Sequence, residues 1–404
     1  MTSYDAIVVG ARCAGAATAM LLARSGHKVL LLDRDEFPSD MVASTHMVWH
    51  AGIARLKSWG LLNRLKATGS PPMDKINLDL GMFVLSGEAP PAGEVTQCYA
   101  PRRYILDSML VNAAVEAGAE LRQGSVVGLL TEGERVAGVR CSDGSGPLAE
   151  ARARLVIGAD GTNSSIARFV AAPAFDETSQ LQGTYYAYFA DLPLNSMEFY
   201  SRPGRMIYAW GTNDGMTVAG ICCRYEDYRR LSNDPERNFY AEVETLAPEF
   251  CERVRAARRG SAWLKGATRN IRRKAFGPGW ALVGDAGLTM DPISAAGIAN
   301  ALRDAEYLAE AVHQGLSGAC PLEGALARFQ DRRDASAVPI YEFTREMAKL
   351  DPPPQEVIDL FVALRDNPKD TSDYFGVFAQ TVSPAAFFAP DNVGRIIASG
   401  AAVS

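Results

Sequence analysis

Residues 10–15 (GARCAG) have the residue types and spacing of a phosphate-binding turn. Gly10 permits a tight turn, and Gly15 allows a helix to pack closely against a strand. The N-terminus of such a helix offers unpaired N–H groups and a positive dipole to a pyrophosphate. Asp33 follows 23 positions after Gly10, where a carboxylate can accept hydrogen bonds from ribose hydroxyls. These residues predict a dinucleotide site, and Ala14 within the turn is a candidate contact.

A second glycine and aspartate signature, Gly284-Asp285, lies more than 270 residues further along the chain. Asp285 could accept from a ribityl hydroxyl, and the amides around Gly297 could stabilise negative charge on a reduced flavin. One βαβ unit can hold a nicotinamide dinucleotide, whereas a flavin dinucleotide needs a second backbone site for its ribityl and flavin half. The two distant signatures together therefore predict FAD.

Three further polar residues each have two interpretations. Arg12 occupies the usual middle-glycine position, where it partly blocks close backbone approach but could itself face the phosphate. Arg103 is either a solvated arginine at a helix start or a brace for the phosphate or ribityl chain. Asp160, before Gly161, is either a simple helix cap or part of the cofactor site.

Hydrophobic periodicity predicts the elements that must position these motifs. Residues 5–9 and 28–33 form buried-strand patterns around a predicted helix at 16–24, which completes the βαβ context that the glycine turn requires. Strand patterns at 154–158 and 280–283 end just before the other two motifs. Helical patterns complete this half at 103–118 and 301–314.

The region 176–272 differs in character, with aromatic strand-like runs that predict an inserted sheet. Alternation places Tyr186 and Tyr188 on one face and Tyr185 and Phe189 on the other. One set should face the flavin, and the pattern leaves open which. The candidate substrate contacts are Tyr186, Tyr188, Tyr208 and Trp210.

The predicted fold class is α/β, a Rossmann-like FAD-binding domain with a mainly antiparallel β-sheet substrate domain inserted and a helical C-terminal segment. The expected bounds are 1–175 and 273–335 for the FAD-binding domain, 176–272 for the sheet domain and 336–404 for the helical segment. That segment could cover the substrate cavity or form the surface of a homodimer, and both alternatives stay open.

The composition argues against several function classes. A net charge of -6 and a pI near 5.5 disfavour nucleic acid as a partner. No uninterrupted apolar run reaches the roughly 18 residues of an integral membrane segment, and the N-terminus lacks the pattern of a signal peptide, so a cytoplasmic location is expected. The seven cysteines have no paired metal spacing, which predicts reduced thiols and no metal site.

With three ordered motifs in place, the chain resembles the FAD-dependent monooxygenases of the para-hydroxybenzoate hydroxylase type. Asp285, Pro292, Gly297, Asp304 and Ala305 fall at that family's spacing without a gap. The resemblance also brings the segment 34–50 near the flavin. The implied FAD contacts are Gly10, Arg12, Ala14, Gly15, Asp33, Arg34, Arg103, Val127, Asp160, Gly284, Asp285, Pro292, Gly297 and Ile298.

The departures from the family pattern indicate a divergent branch. Leu288 replaces the usual His, Asp291 the first Pro of a pair, Ala295 a Gly and Ala299 an Asn. An Asp-Pro pair is shared with geranylgeranyl reductases and flavin halogenases. The WxWxIP segment of the halogenases is absent, which disfavours halogenation.

The resemblance implies a monooxygenase that uses NAD(P)H and O2 to hydroxylate or epoxidise a sizeable apolar aromatic or olefinic molecule, terpenoid or polyketide-like, through a flavin hydroperoxide. NAD(P)H would bind transiently, because no second glycine fingerprint is present. The candidate catalytic residues are Asp291, as a proton donor or perturbing acid, and His46, which is otherwise a packed or surface histidine. The rival hypotheses are an FAD-dependent reductase of carbon-carbon double bonds and a flavin-binding protein without turnover.

Overall fold

The computed structural model describes residues 3–41, 44–142 and 147–401. The helices are α1 (Cys13–Arg24), α2 (His50–Ser58), α3 (Leu62–Ala67), α4 (Arg103–Glu116), α5 (Ser165–Phe169), α6 (Tyr225–Leu231), α7 (Pro235–Leu246), α8 (Pro248–Ala256), α9 (Gly297–Leu316), α10 (Leu322–Ala348), α11 (Gln355–Arg365), α12 (Pro368–Ala379), α13 (Pro384–Phe387) and α14 (Pro390–Ala401). Within the described ranges, none of these helices has the length and apolar character needed to cross a membrane.

The strands form two large sheets and one small one. They are β1 (Ser3–Val9), β2 (Val29–Asp33), β3 (Lys75–Asp79), β4 (Val84–Glu88), β5 (Glu120–Gln123), β6 (Ser125–Glu132), β7 (Arg135–Ser142), β8 (Ala149–Gly158), β9 (Ala174–Thr178), β10 (Gln182–Ala190), β11 (Met197–Arg202), β12 (Arg205–Gly211), β13 (Thr217–Arg224), β14 (Arg258–Arg259), β15 (Leu264–Gly266), β16 (Asn270–Arg273), β17 (Phe276–Gly277), β18 (Trp280–Leu282) and β19 (Leu288–Thr289).

The first sheet has the order β17-β18-β8-β1-β2-β5, and its central pairs are parallel. Every residue of β2 is buried, as expected for a parallel strand that is covered on both faces. Helices α1, α4 and α9 pack on one face, while the β6–β7 hairpin and α5 cover the other. This half has the predicted Rossmann-like architecture, so the predicted fold class is confirmed.

The topology of the first sheet explains why the motifs meet. The parallel strands β1, β2, β8 and β18 have their carboxyl ends at one edge of the sheet. Gly10 follows β1, Asp33 ends β2, Asp160 follows β8 and Gly284 follows β18. Ligands of open α/β sheets bind at this edge. Residues that are far apart in the chain are thereby brought to one place.

The second sheet has the order β14-β10-β13-β12-β11-β3-β4 and is mainly antiparallel. The last two strands in this order, β3 and β4, come from residues 75–88, well before the range 176–272 that the aromatic pattern marks. Tyr185 and Phe189 face a core built with α7 and α8. Tyr186 and Tyr188 lie on the opposite face, in a buried cluster with Met47, Trp49 and Met290. The structure thus decides which aromatic set faces the candidate site.

The C-terminal helices cover the same face of the second sheet. Helix α10 is continuous across residue 336, where the sequence suggests that a new segment begins. Leu360, Tyr374, Phe375 and Phe387, from α11 to α13, join the buried cluster that contains Tyr208 and Trp210. This part of the chain therefore forms one wall of the space in front of the sheet.

Replacement of Phe239 by Ala should destabilise the support behind the second sheet. Phe239 is 0% exposed, and its ring lies 4.9 Å from that of Trp263. Loss of a fully buried aromatic ring lowers the free energy of unfolding by about 3–5 kcal/mol. Thermal unfolding followed by circular dichroism should show a lower midpoint for Phe239→Ala than for the control Phe169→Ala, which removes a ring that is 43% exposed. Equal losses in the two variants would contradict this account of the core.

Candidate active site

A cavity of about 680 Å³ opens at the edge where the parallel strands end. The sequence-predicted residues that line it are Gly10, Arg12, Ala14, Asp33, Arg34, His46, Arg103, Asp160, Tyr186, Asp285, Asp291, Pro292, Gly297 and Ile298. Gly15 and Gly284 lie behind this lining. Val127 is 47% exposed, and its neighbour Val126 lines the cavity instead. Most of the predicted cofactor set is therefore brought together.

The glycine turn leaves no space for a side chain at either of its glycines. Gly10 has a φ of +100°, and a Cβ there would lie 2.4 Å from the carbonyl oxygen of Ala159. A Cβ on Gly15 would lie 1.7 Å from the carbonyl oxygen of Gly10. No side chain of the described residues caps the start of α1, and its first turn carries no acidic residue. The turn is thus shaped to bring helix N–H groups towards an anion.

Asp33 serves the turn as well as facing the cavity. One carboxylate oxygen, Oδ2, accepts from the backbone N–H of Ala11 at 2.6 Å, and Oδ1 accepts from the N–H of Asp35 at 2.9 Å. The carboxylate therefore braces the glycine turn while it lines the space where a ribose is expected.

The guanidinium of Arg12 is directed to carboxylates. It donates to Oδ2 of Asp107 at 2.9 Å, to Oδ2 of Asp35 at 3.0 Å and to the hydroxyl of Ser39 at 3.0 Å. Arg103 donates to both carboxylate oxygens of Asp107 and is itself only 9% exposed. This burial does not fit the solvated-arginine interpretation of Arg103. The sequence analysis did not identify Asp107 as the carboxylate that bonds both arginines, although its i,i+4 spacing from Arg103 was a usable signal.

Asp160 makes the contacts of a helix cap. Its carboxylate accepts from the backbone N–H groups of Ser165 at 2.6 Å and Ile166 at 3.2 Å, and from the hydroxyl of Ser164 at 2.5 Å. These bonds satisfy donors at the start of α5. The capping interpretation accounts for the carboxylate, while the residue also lines the cavity.

Asp285 directs its carboxylate towards the cavity. The side chain borders the open space of the cavity, but protein surrounds the cavity on most sides. The resulting loss of water raises the pKa of Asp285 to about 6, and the positive charge of Arg103 lowers it by a smaller amount. The hydroxyl of Thr162 lies 3.4 Å from Oδ2. Nearby, a Cβ on Gly297 would meet nothing within 4 Å, so the start of α9 also borders open space. Both features suit an acceptor and a helix terminus that contact a ligand.

Asp291 is a buried carboxyl group that bonds residues of the second sheet and of the small sheet. Oδ1 accepts from Nε2 of Gln182 at 2.7 Å and from the N–H of Ile293 at 3.0 Å, while the N–H of Asp291 donates to Asn270. Its Oδ2 has no hydrogen-bond partner among the described residues. Burial raises its pKa to about 7, and the bonds from Gln182 and Ile293 lower it. Gln182 and Asn270 carry no local sequence signal for this role.

His46 is buried and held in a left-handed conformation, with a φ of 63°. Its Nε2 hydrogen-bonds the hydroxyl of Tyr188, and its Nδ1 has no partner among the described residues. Burial, with help from Arg102 and Arg103, lowers the pKa of His46 well below its usual value, so the ring is neutral. Strain of this kind concentrates at functional sites.

The residues near His46 in space or in sequence are Arg102, Tyr188 and His50. Arg102 lies over the Tyr188 ring, 4.0 Å from its centroid, and the sequence had not marked it. Tyr188 contacts the site through its bond to His46. It lines neither this cavity nor the apolar cavity described next. His50 bonds the carbonyl oxygen of Thr96 and is a packed histidine.

A second, mainly apolar cavity of about 930 Å³ lies in front of the second sheet. Tyr208 and Trp210 line it, together with residues from the C-terminal helices. Indole N–H groups tie its walls together, because Trp49 donates to the carbonyl oxygen of Ser294 at 3.0 Å and Trp210 donates to that of Thr45 at 3.1 Å. The two cavities meet at their shared lining residues, which are Thr45, Thr184, Pro292 and Ala295.

These residues fit FAD. The turn at Gly10 and Gly15 is too tight for any Cβ, the start of α1 offers N–H groups, and Asp285 offers a carboxylate acceptor. The open space at Gly297 borders the start of a long helix. The hydrogen-bonding groups thus form two sets, one at the phosphate-binding turn and one at Asp285 and the start of α9.

Comparison with known proteins supports this interpretation. Residues 3–344 match the family described as FAD binding domain. The 1H-pyrrole-2-carbonyl-[peptidyl-carrier protein] brominase of Pseudoalteromonas luteoviolacea is 25% identical over 331 residues, which cover 78% of this chain and 79% of that protein. The digeranylgeranylglycerophospholipid reductase 1 of Methanococcoides burtonii is 27% identical over 338 residues, 81% of this chain and 79% of the relative.

Another relative and a solved structure extend the comparison. The 6-methylpretetramide 4-monooxygenase of Streptomyces rimosus is 24% identical over 319 residues, 77% of this chain and 76% of the relative. The structure of flavin-dependent brominase Bmp2 superposes with a TM-score of 0.83 at 19% identity and covers 100% of both chains. The likeness to Bmp2 shows a shared fold. The relatives are named for halogenation, reduction and oxygenation alike.

Replacement of Gly15 by Ala should release bound flavin. The added Cβ overlaps the backbone oxygen of Gly10, so the turn itself must move. A change of about 1.4 kcal/mol in binding is tenfold in affinity, and we expect at least that loss. The absorbance of flavin per protein after purification measures it. Gly128→Ala, where a Cβ meets nothing within 4 Å, is the control and should retain its flavin.

Replacement of Asp291 by Asn should change how stability depends on pH. The pKa of Asp291 is about 7 in the folded protein and roughly 4 when unfolded, so the folded state binds the proton more tightly. The carboxyl group is neutral at low pH, and its contribution to stability is lost as the pH rises from about 4 to 7. Asn has no charge to bury. The variant should therefore gain stability relative to the parent protein by on the order of 2–3 kcal/mol between pH 5 and 7.

Thermal unfolding midpoints of the flavin-loaded proteins at pH 5, 6, 7 and 8 measure this effect. Asp366→Asn, which removes a carboxylate with a side chain that is 55% exposed, is the matched control. The same pH dependence in both variants would show that the Asp291 carboxyl is not the group that titrates.

Proposed function

This protein belongs to the FAD binding domain family, and from that premise we propose that it is an FAD-dependent monooxygenase. It uses NAD(P)H and O2 to hydroxylate or epoxidise a sizeable apolar aromatic or olefinic molecule. The relative named as a monooxygenase supports oxygenation as the reaction class. NAD(P)H visits the enzyme transiently.

The observation that carries this proposal is the meeting of the two cavities. The polar cavity holds the residues that suit FAD, and the apolar cavity joins it at Thr184, Pro292 and Ala295. A cavity of about 930 Å³ is within the size range of pockets for drug-sized ligands. A terpenoid or polyketide-like substrate would bind there with its reacting carbon near the junction.

FAD, when bound, supplies two-electron redox chemistry and reaction with O2. The chain binds it through the glycine turn at 10–15, with Asp33 and Asp285 as acceptors for its hydroxyls. The start of α9 at Gly297 would direct its unpaired N–H groups towards negative charge on the bound group. Trp49 and Trp210 hold the walls of the apolar cavity in place and exclude water from it.

Asp291 and His46 are the proposed catalytic residues. The carboxyl of Asp291 is poised to hold or release a proton near neutral pH, and its Oδ2 has no protein partner within the described ranges. His46 is neutral, and its Nδ1 is likewise unpartnered in the part of the chain that the structure describes. Both residues line the polar cavity. Each has a buried polar atom beside the cavity that no described residue bonds.

A second candidate function is the reduction of carbon-carbon double bonds. Saturation of a double bond requires a proton as well as a hydride, and a buried acid with a pKa of about 7 beside the site suits that need. The relatives named as digeranylgeranylglycerophospholipid reductases support this alternative. Oxygen dependence separates the two functions.

Turnover with labelled oxygen tests the proposal. Enzyme, NAD(P)H and a panel of polycyclic aromatic and polyene compounds are incubated under ¹⁸O2, and the products are analysed by mass spectrometry. We expect one labelled oxygen atom in the product and no product without O2. Equal product formation in anaerobic samples would refute oxygenation and support the reductase.

Two further arms complete this experiment. Bromide is added in parallel, because one relative is named as a brominase, and a brominated product would replace our proposal with halogenation. Asp291→Asn should retain its flavin while product formation falls, by on the order of 100-fold if the carboxyl transfers the proton. Slow oxidation of NAD(P)H that no compound accelerates would favour a flavin-binding protein without turnover.

A further inference from the structure

Two hydroxyl groups meet at the junction of the cavities. Thr184 on β10 lines both cavities, and Tyr208 on β12 lines the apolar one. Their oxygen atoms lie 2.7 Å apart, and the side chains are 8% and 5% exposed. Strand β13 runs between β10 and β12, so the Tyr208 side chain must cross it to reach Thr184.

Gly220 on β13 makes this crossing possible. It pairs with both Tyr186 and Tyr208 in the sheet register. A Cβ on Gly220 would lie 2.5 Å from the hydroxyl oxygen of Tyr208. The phenol therefore occupies the space where any other residue at position 220 would place its side chain.

The hydrogen bonds of this pair have a fixed direction. The hydroxyl of Thr184 lies 3.0 Å from the carbonyl oxygen of Ile221, which can only accept. Thr184 has one hydroxyl hydrogen, and this bond uses it. Tyr208 must therefore donate its own hydrogen to Thr184. What remains on Tyr208 is the capacity to accept.

The pair is suited to recognition and not to proton transfer. Burial raises the pKa of Tyr208 well above its usual value, so the phenol keeps its hydrogen. The chain of bonds ends on the backbone carbonyl oxygen of Ile221, which cannot take up and pass on a proton. The ring of Tyr208 stacks on that of Trp210 with centroids 4.9 Å apart, which fixes the position of its oxygen.

We propose that the substrate carries an O–H or N–H group on its aromatic or olefinic frame, and that this group donates a hydrogen bond to Oη of Tyr208. This inference deepens the proposed function and rests on it for the nature of the frame. Tyr208 thereby selects phenols, enols and N–H heteroaromatics over ethers and N-alkyl analogues of the same size. The apolar walls around it bind the frame, and Tyr208 sets its orientation at the junction.

The test compares a matched ligand pair by calorimetry with the flavin-loaded protein in the absence of NAD(P)H. The ligands are 2-naphthol, which has a hydroxyl donor, and 2-methoxynaphthalene, which lacks one. A neutral hydrogen bond contributes about 1 kcal/mol, or roughly fivefold in affinity. The ratio of the two dissociation constants should therefore favour 2-naphthol about fivefold more in the parent protein than in Tyr208→Phe.

Two more variants sharpen the result. Thr184→Val frees the Tyr208 hydrogen, which can then be donated to the methoxy oxygen, so the preference for 2-naphthol should fall here too. Tyr185→Phe is the matched control, because Tyr185 lies on the same strand as Thr184 but faces the core behind the sheet. This control should keep the parent ratio.

The inference is overturned if Tyr208→Phe leaves the ratio unchanged, if it weakens both ligands equally, or if neither ligand binds. The assay involves no turnover, so it is independent of the labelled-oxygen experiment. A donor preference without oxygen incorporation would leave this site intact and refute the monooxygenase. Oxygen incorporation without a donor preference would support the monooxygenase and refute the assigned role of Tyr208.

Discussion

One buried carboxylate, that of Asp107, connects the parts of the candidate cofactor site. It accepts hydrogen bonds from Arg12 at the glycine turn, from Arg103 at the start of α4 and from the thiol of Cys13, and it is 0% exposed. A buried charge must be paired, because removal from water is unfavourable by several kcal/mol. The arginine in the glycine turn is compatible with a cofactor site for this reason, since Asp107 draws its side chain away from the turn.

A second constraint links the second sheet and the small sheet to the turn before α9. Asp291 caps the short 3-10 turn Pro292–Ser294 and bonds Gln182 from the second sheet. Ser294 in the same turn accepts from Trp49 through its carbonyl oxygen. The turn thus has one side towards the polar cavity and the other towards the apolar cavity. Polar groups without local sequence signals, Gln182 and Asn270, converge on this turn from strands that are distant in the chain.

The predictions made from the sequence were most accurate where the signal is local. The βαβ unit around residues 10–15, the strand before Gly284 and the helix after Gly297 follow from periodicity and glycine spacing, and the FAD binding domain family confirms the cofactor. Structural features that depend on distant partners were missed. Strands β3 and β4 join the second sheet, and α10 crosses position 336 without a break. A strand's own residues do not specify its neighbour in a sheet.

The sequence by itself determined the cofactor, the class of fold and the residues at the strand ends, because these depend on spacing within single βα units. Only the tertiary structure decided which aromatic face borders the site and that Arg12 faces Asp107. It also decided that Tyr208 reaches Thr184 across Gly220. The reason is that a two-residue period distinguishes the faces of a strand but does not tell which face is covered by what. The direction of a hydrogen bond likewise depends on acceptors that only the folded chain brings near.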